Sequence, residues 1–446
     1  MGMGGLAGFK AHLMHVGNLN NKGTQALLAS DFFIINKIIE GSSVSVSTTD
    51  IEGVNRLNLP FDVVLPPAVD IPYMKADELV NRFNLDRGGF SYRLLVSALL
   101  IFMALQTFFM LFSIIFEKIG LKPVYRGGLI RRIKESDLVI SHSDENFKET
   151  ASLLPLNPIW TVTWWSMLFS RTLDIMVARA FGKPIVMFPN SVGPFRTWIG
   201  VFLSRFSLNE CDYLLIRDPV SYRIVGELKI RTPKILTYDT ALLYSSYENE
   251  SESKFSKPTV GVSPGVYSQS LSKIEVENYL LSHAKALDAI IEKHKVFVVF
   301  LPHYISGFSD DDLDISMSIV DLMKNKNRTK IITTNSVREF KLLLDQMDMV
   351  ISSKMHPAVL AATGYVPIMC VAYDHKQTAF FQRLNMIDCT INIRNVTFEN
   401  LLSTMEKTWN QRAKLQESLR LQIPRWQKDV NSAIKNVITR YNHPNS

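Results

Sequence analysis

Residues Leu94 to Phe116 form a run of about 23 residues without a charge, bounded by Arg93 and by Glu117 and Lys118, and as a helix roughly 35 Å long it would cross a hydrocarbon core of about 30 Å. By composition alone this is a transmembrane segment. Its neighbours argue against a simple crossing. Strand-like segments before it (Ala11 to Val16, Ser43 to Ser47) and after it (Asp137 to Ser141, Pro184 to Phe188) read as parts of one parallel sheet. A single span would place those strands on opposite sides of a bilayer, where they cannot pair. The run is therefore expected to lie in the interface, to enter and return, or to pack in a partner groove. The plain alternative is a buried core helix, although core helices of this length usually show a polar face. A second patch, Ile159 to Phe169, carries Trp160, Trp164 and Trp165, a residue type that favours the headgroup region.

At 446 residues the chain is too long for one ordinary core and fits two domains. An apolar fraction of 47% with 20% charged residues excludes wholesale disorder. The net charge of +7 favours anionic ligands or an anionic membrane surface. No nucleic-acid partner is expected, since no basic block is interleaved with aromatics. Cys211, Cys370 and Cys389 are far apart and lack metal-ligand spacing, so they read as buried thiols in a reducing compartment, and no metal site is expected. Met1 to Lys10 lacks the charged start and apolar core of a secretory signal, and Leu6 stands where a myristoylation signal needs Ser or Thr. The expected location is cytoplasmic, peripheral or monotopic at the inner face of the membrane.

Short β-rich runs alternate with helical segments through both halves, the pattern of doubly wound α/β sheets. In the first half Ala11 to Val16, Val44 to Ser47, Leu138 to Ser141, Ile185 to Phe188 and Tyr213 to Ile216 read as strands. In the second, Thr259 to Ser263, Val296 to Leu301, Lys330 to Thr333, Met349 to Ser352 and Ile368 to Val371 do. The polar stretch Ser245 to Lys257 is the natural linker. The expected division is a domain over 1–245 with the apolar insertion 94–116, a linker over 246–258, a second domain over 259–398, and helices over 399–446 that brace the first domain.

Parallel sheets carry their functional loops at the carboxyl ends of strands. The first strand leads through His15-Val16-Gly17-Asn18 to Asn21-Lys22-Gly23-Thr24-Gln25-Ala26-Leu27. Glycines there let backbone N–H groups reach an anion at a helix N-terminus, although a tight capped turn has the same composition. Other strands lead into Phe188-Pro189-Asn190-Ser191-Val192-Gly193-Pro194-Phe195, Ile216-Arg217-Asp218-Pro219-Val220-Ser221, Tyr238-Asp239-Thr240-Ala241, Ile351-Ser352-Ser353-Lys354-Met355-His356 and Val371-Ala372-Tyr373-Asp374-His375-Lys376. The acidic cluster Asp310, Asp311, Asp312 and Asp314 can suit a hard cation, but it lies where a helix begins and the helix dipole favours it.

Taken in order with their spacing, these blocks resemble the polysaccharide pyruvyl transferase family over about His15 to Met386. The resemblance implies a glycosyltransferase-B-like pair of Rossmann-type domains. It also implies phosphoenolpyruvate as donor without a further cofactor, a sugar diol on a polysaccharide or lipid-linked glycan as acceptor, and a cyclic pyruvate ketal as product. There are two departures. The chain has His142-Ser143-Asp144 where the family often has a glycine-rich turn, and Lys354 where it usually has arginine. Lysine keeps the charge and loses the bidentate fork.

On this reading His356 is the general acid, because imidazole changes charge near neutral pH. Arg217 and Lys354 hold donor anions, Lys376 adds charge, and Asp239 orients the acceptor or takes its proton. Asn190 and Ser191 offer hydrogen bonds to the ligand, Gly17 and Asn18 bind it from the first turn, and His303, past another strand end, contacts ligand. Helix capping for His356, turn capping for Asp239 and ordinary salt bridges for the cations are the structural alternatives. A nucleotide-sugar glycosyltransferase, or a non-catalytic glycan-binding relative, are the functional ones.

Overall fold

The computed structural model describes residues 8–72, 79, 90–149, 158–244, 255–266, 271–305 and 311–442. Trp160's side chain, Asp310 and most of the expected linker lie outside them.

The chain builds two sheets, and all the paired strands are parallel. The first holds β1 (Lys10–Val16), β2 (Ser43–Thr48), β3 (Val64–Leu65), β4 (Leu138–Ser141), β5 (Ile185–Asn190), β6 (Tyr213–Ile216) and β7 (Lys234–Leu236), in the order β3-β2-β1-β4-β5-β6-β7. The second holds β8 (Thr259–Ser263), β9 (Phe297–Phe300), β10 (Thr329–Ile331), β11 (Met349–Ser352), β12 (Ile368–Ala372) and β13 (Thr390–Asn392), in the order β10-β9-β8-β11-β12-β13. Both orders reverse direction beside the first strand of the sheet, between β1 and β4 and between β8 and β11. Crossover loops diverge there and leave a crevice at the strand ends. The central strands are buried along almost their whole length, which is why they read as apolar runs and not as alternating ones.

The last helix, Arg412–Ile438, ties the lobes together. It buries Leu415, Leu419, Ile423, Trp426, Val430, Ile434 and Val437, one face of a helix at three- and four-residue steps. The first four pack with Val359, Phe380 and Phe381 of the second lobe, and the rest with Leu28, Ile35 and Val44 of the first.

The apolar run lies within the helix Phe90–Lys118, the one helix among the described residues long and apolar enough to cross a membrane. It is not the buried core helix of the plain alternative. Ile101, Phe102, Leu105, Phe108 and Ile115 are each at least half exposed. The stripe turned to the protein contains Met103, Met110 and Ile114, and with them the polar Gln106 and Ser113. Gln106 Oε1 accepts from the Asp70 N–H at 3.0 Å, and Ser113 Oγ accepts from the Tyr125 N–H at 2.8 Å. This amphipathicity is inverted. Polar groups key into the domain while the apolar face is left outside.

The tryptophan patch comes out differently from its expected role. Trp165 Nε1 is half-buried and donates to Glu149 Oε1 at 3.0 Å and to Thr197 Oγ1 at 2.9 Å, and Lys148 lies over the Trp164 ring. The Trp165 indole is thus tied inside the protein, while Trp164 Nε1 is buried without a hydrogen-bond partner among the described residues. The exposed aromatics near them, Trp198 and Phe202, belong instead to the helix Trp198–Asn209, which packs on the same helix as the tryptophans, Pro158–Ala180.

Candidate functional site

In the first lobe the ends of β4, β5, β6 and β7 converge on Arg217. Its side chain is wholly buried. Nε donates to Ser191 Oγ at 2.8 Å, Nη1 to Asp239 Oδ2 at 2.8 Å, and Nη2 to Glu145 Oε1 at 3.4 Å. Asp239 is bifunctional. Its Oδ1 accepts from the Ala241 N–H at 2.8 Å, the turn-capping role, while Oδ2 faces Arg217 and lies 3.8 Å from His356 Nε2. Ser191 Oγ donates to Asp218 Oδ2 at 2.9 Å while accepting from Arg217, so it orients the guanidinium and is not a ready ligand donor. Asn190 is a clearer correction. Its Nδ2 donates to the His142 carbonyl at 2.8 Å and the Phe188 carbonyl at 3.0 Å, and its Oδ1 accepts from the Asn146 N–H at 3.0 Å. Every bond goes to backbone, and the side chain fixes the loop after β4. Asn18 is also corrected: its Oδ1 accepts from the Asn20 N–H at 2.8 Å and closes its own turn, while Gly17 beside it faces open space.

The second lobe brings the helix Met355–Thr363, with His356 in its first turn. The helix starts two residues before Pro357, so His356 is not the cap. The ring sits against Gly23 of the first lobe, where an added Cβ would fall under 3.0 Å from its Nδ1, Cγ and Cβ atoms. Lys354 Nζ donates to Asp312 Oδ1 at 2.6 Å, and Asp312 Oδ2 accepts from the N–H groups of His303 at 3.1 Å and Tyr304 at 2.8 Å. The acidic cluster is thus in use, because Asp311 caps the helix Asp312–Leu322 and Asp312 neutralises Lys354. His303 is buried beneath His356, their ring centroids 6.3 Å apart. Lys376 reaches across the lobes to pair with Glu145, which also pairs with Lys148. Arg383 donates to the carbonyls of Arg217 at 3.1 Å and Thr237 at 2.8 Å, a second link between lobes.

The structure therefore brings together Arg217, Asp239, His356 and Lys376, with His303 and Lys354 on the far side of the His356 ring. Reasoning from sequence missed Glu145, which balances Arg217 and Lys376, and Asp144 beside it. Both follow β4 in the turn where glycines were expected. That turn is stiffened by hydrogen bonds instead. His142 Nδ1 pairs with Asp31 Oδ2 at 2.8 Å, and Ser143 donates to Asp31 through its N–H at 2.9 Å and its Oγ at 2.8 Å.

Burial is the main influence on these groups. It pushes the His356 imidazole below its ordinary value, Arg217 and His142 push it further, and Asp239 and Asp144 oppose them. Burial brings Lys376 down to about 8, with Asp144 resisting. Burial alone would raise the Asp144 carboxyl, but Arg217, His142, His356 and Arg171 together hold it below the usual range. The cleft thus sets a largely neutral imidazole among cations that carry counter-carboxylates. Among the described residues no group of His, Cys, Asp and Glu is arranged to hold a metal ion. A narrow crevice lined by Arg217, Asp239, Met355, Lys376 and Arg383 opens onto this cluster.

Two parallel sheets meeting across an interlobe cleft give the chain a two-lobed α/β fold of the glycosyltransferase-B-like type. In overall structure it is similar to UDP-GlcNAc 2-epimerase from Neisseria meningitidis bound to UDP-GlcNAc, with a TM-score of 0.55, 10% identity, and coverage of 97% of this chain and 100% of that one. It is similar also to MnaA of S. aureus in its UDP co-structure, with a TM-score of 0.56, 10% identity, and coverage of 97% and 96%. At such identities the likeness concerns the fold alone. The family profile of polysaccharide pyruvyl transferase matches residues 54–375, and the chain belongs to that family of glycan-modifying enzymes. It is 20% identical over 243 residues to the amylovoran biosynthesis protein AmsJ of Erwinia amylovora, a match spanning 51% of this chain and 58% of that protein's length.

Proposed function

We propose that this chain transfers a pyruvyl group from phosphoenolpyruvate to two hydroxyls of one sugar, on a polysaccharide or lipid-linked saccharide, and that it works at a membrane surface. The observation that carries the reading is the placement of His356 Nε2 3.8 Å from Asp239, which pairs with Arg217, while Glu145 joins Arg217 to Lys376.

In this reaction a proton is added to the donor's methylene carbon while one sugar hydroxyl bonds to the adjacent carbon. The second hydroxyl then bonds to that carbon as the bond to phosphate oxygen breaks. Both hydroxyl protons leave, and inorganic phosphate is the other product. His356 delivers the first proton. Burial favours its neutral form, and the negative charge of the donor restores its proton on binding. Arg217, freed from part of its pairing to Glu145 and Asp239, grips the carboxylate with its planar fork. The cations around Asp144 hold its carboxyl below the usual range, so it is ionised and able to receive a hydroxyl proton. The reading needs no separate cofactor.

The test is incubation with phosphoenolpyruvate and candidate lipid-linked saccharides, followed by phosphate release and mass spectrometry for the added pyruvyl group. His356→Gln is expected to cut phosphate release at least 100-fold with the melting temperature kept. Full turnover in that variant removes the histidine from the mechanism.

Membrane contact is supported by the inverted face of Phe90–Lys118 and by the exposed Trp198 and Phe202. An exposed apolar surface of this extent favours the acyl boundary over water.

A further inference from the structure

Lys22 opens the helix Lys22–Ile38 and is 3% exposed. Its ammonium makes no ion pair and no hydrogen bond among the described residues. The other cations of the cleft differ: Arg217 and Lys376 share Glu145, and Lys354 has Asp312. A cation set in the cleft wall with no carboxylate in contact is a charge left ready for an anion. Burial lowers its pKa and Lys354 lowers it further, while Asp312, Asp311 and Glu339 oppose them.

A second, independent feature stands beside it. His303 is 1% exposed, and among the described residues neither ring nitrogen has a hydrogen-bond partner. A bridge between Asn21 and Tyr304 joins the two loops, so Lys22 and His303 are each one residue from the same interlobe contact. His356 stacks on the other side of His303, and Lys354 and Lys22 both act on the His303 ring electrostatically. A lysine and a buried imidazole, one from each lobe, thus flank one interlobe bridge at a helix N-terminus.

We infer that Lys22 and His303 form a second anion-binding pole of the cleft, taking a phosphate monoester and gripping it from both lobes at once. The Arg217 fork suits a planar carboxylate; a tetrahedral phosphate suits the point charge of Lys22, the imidazole N–H and the helix N-terminus. On the reading proposed above, the donor's carboxylate lies toward Arg217 and its phosphate toward Lys22, with His356 between them. The pole also draws the lobes together, because its two members come from opposite sides of the cleft.

The experiment titrates inorganic phosphate by calorimetry into the wild type, Lys22→Met and Lys22→Arg. Lys22→Met is expected to weaken phosphate about tenfold or more, and Lys22→Arg to recover most of the loss. The ligand-free Lys22→Met protein is expected to melt at or above the wild-type temperature, since the ammonium makes no ion pair or hydrogen bond among the described residues that the change would break. A lysine with a merely structural role would lower it. Ring resonances of His303 should shift with phosphate in the wild type and stay still in Lys22→Met. Unchanged phosphate affinity in Lys22→Met, or wild-type KM for phosphoenolpyruvate in that variant, overturns the assignment. If phosphate binds through Lys22 while no acceptor is pyruvylated, the pole stands and the transfer reading falls.

Discussion

Gly23 sets where the general acid can sit. The ring of His356 occupies the volume a side chain would need there, so Gly23→Ala must displace either the histidine or the first turn of its helix. A displacement near 1 Å at a reacting group is worth about 100-fold in rate. The expected result is a fall of that size in kcat/KM with a near-native melting temperature, read by steady-state kinetics and thermal unfolding. Another buried residue controls acid stability away from the cleft. Burial lowers His283 to about 4, with a hydrogen bond to the Tyr279 carbonyl opposing. Its folded pKa is below the unfolded 6.5, so its contribution is complete above pH 6.5 and is lost as pH falls toward 4. Between pH 7 and 4, urea unfolding of His283→Gln should lose roughly 3 kcal/mol less than the wild type; equal losses would exclude this account. Sequence pointed to Arg217, Asp239, His356 and Lys376 because each follows a strand end. Lys22 and Glu145 also follow strand ends, but their meaning depends on which charges face them across the cleft, and one-dimensional spacing cannot show that. Asn190 and Ser191 were placed correctly at the cleft and misassigned in role, because their partners are backbone groups and neighbouring side chains.

Among elements, the helix Arg412–Ile438 positions the catalytic lobe contacts from outside. Trp426 stacks on Tyr238 with ring centroids 4.3 Å apart, and the Arg383 guanidinium lies 3.5 Å from the Tyr238 centroid. Arg383 in turn holds the Arg217 carbonyl. Trp426→Ala is expected to destabilise the chain by about 3–5 kcal/mol and to raise KM for the donor, measured by denaturation and kinetics. A loss of stability with KM unchanged would show that the stack does not steady the cleft. The central strands were legible to within a residue or two because burial on both faces makes them continuous apolar runs. β3, β7 and β13 are edge strands of two or three residues, and no periodicity can form over that length. The long apolar helix was legible as an element but ambiguous in its setting, since length and composition do not say which side its two inward polar residues will face.

For the whole molecule the decisive property is the exposed apolar face on one flank of the first lobe. Replacing Ile101, Phe102, Leu105 and Phe108 together with glutamine is expected to abolish co-sedimentation with anionic phospholipid vesicles while preserving turnover on a water-soluble acceptor. Wild-type protein that stays in the supernatant with such vesicles would end the membrane reading. Two lobes were legible from chain length and from the restart of strand alternation near Thr259, whereas their mode of contact was not. That contact carries a further consequence through Glu145. A carboxylate resident between Arg217 and Lys376 means the pocket is charge-balanced before any substrate arrives. The donor then enters by exchanging with an internal counter-ion, so that added salt, with little net charge to screen, should slow its capture far less than it would at a bare cationic hollow.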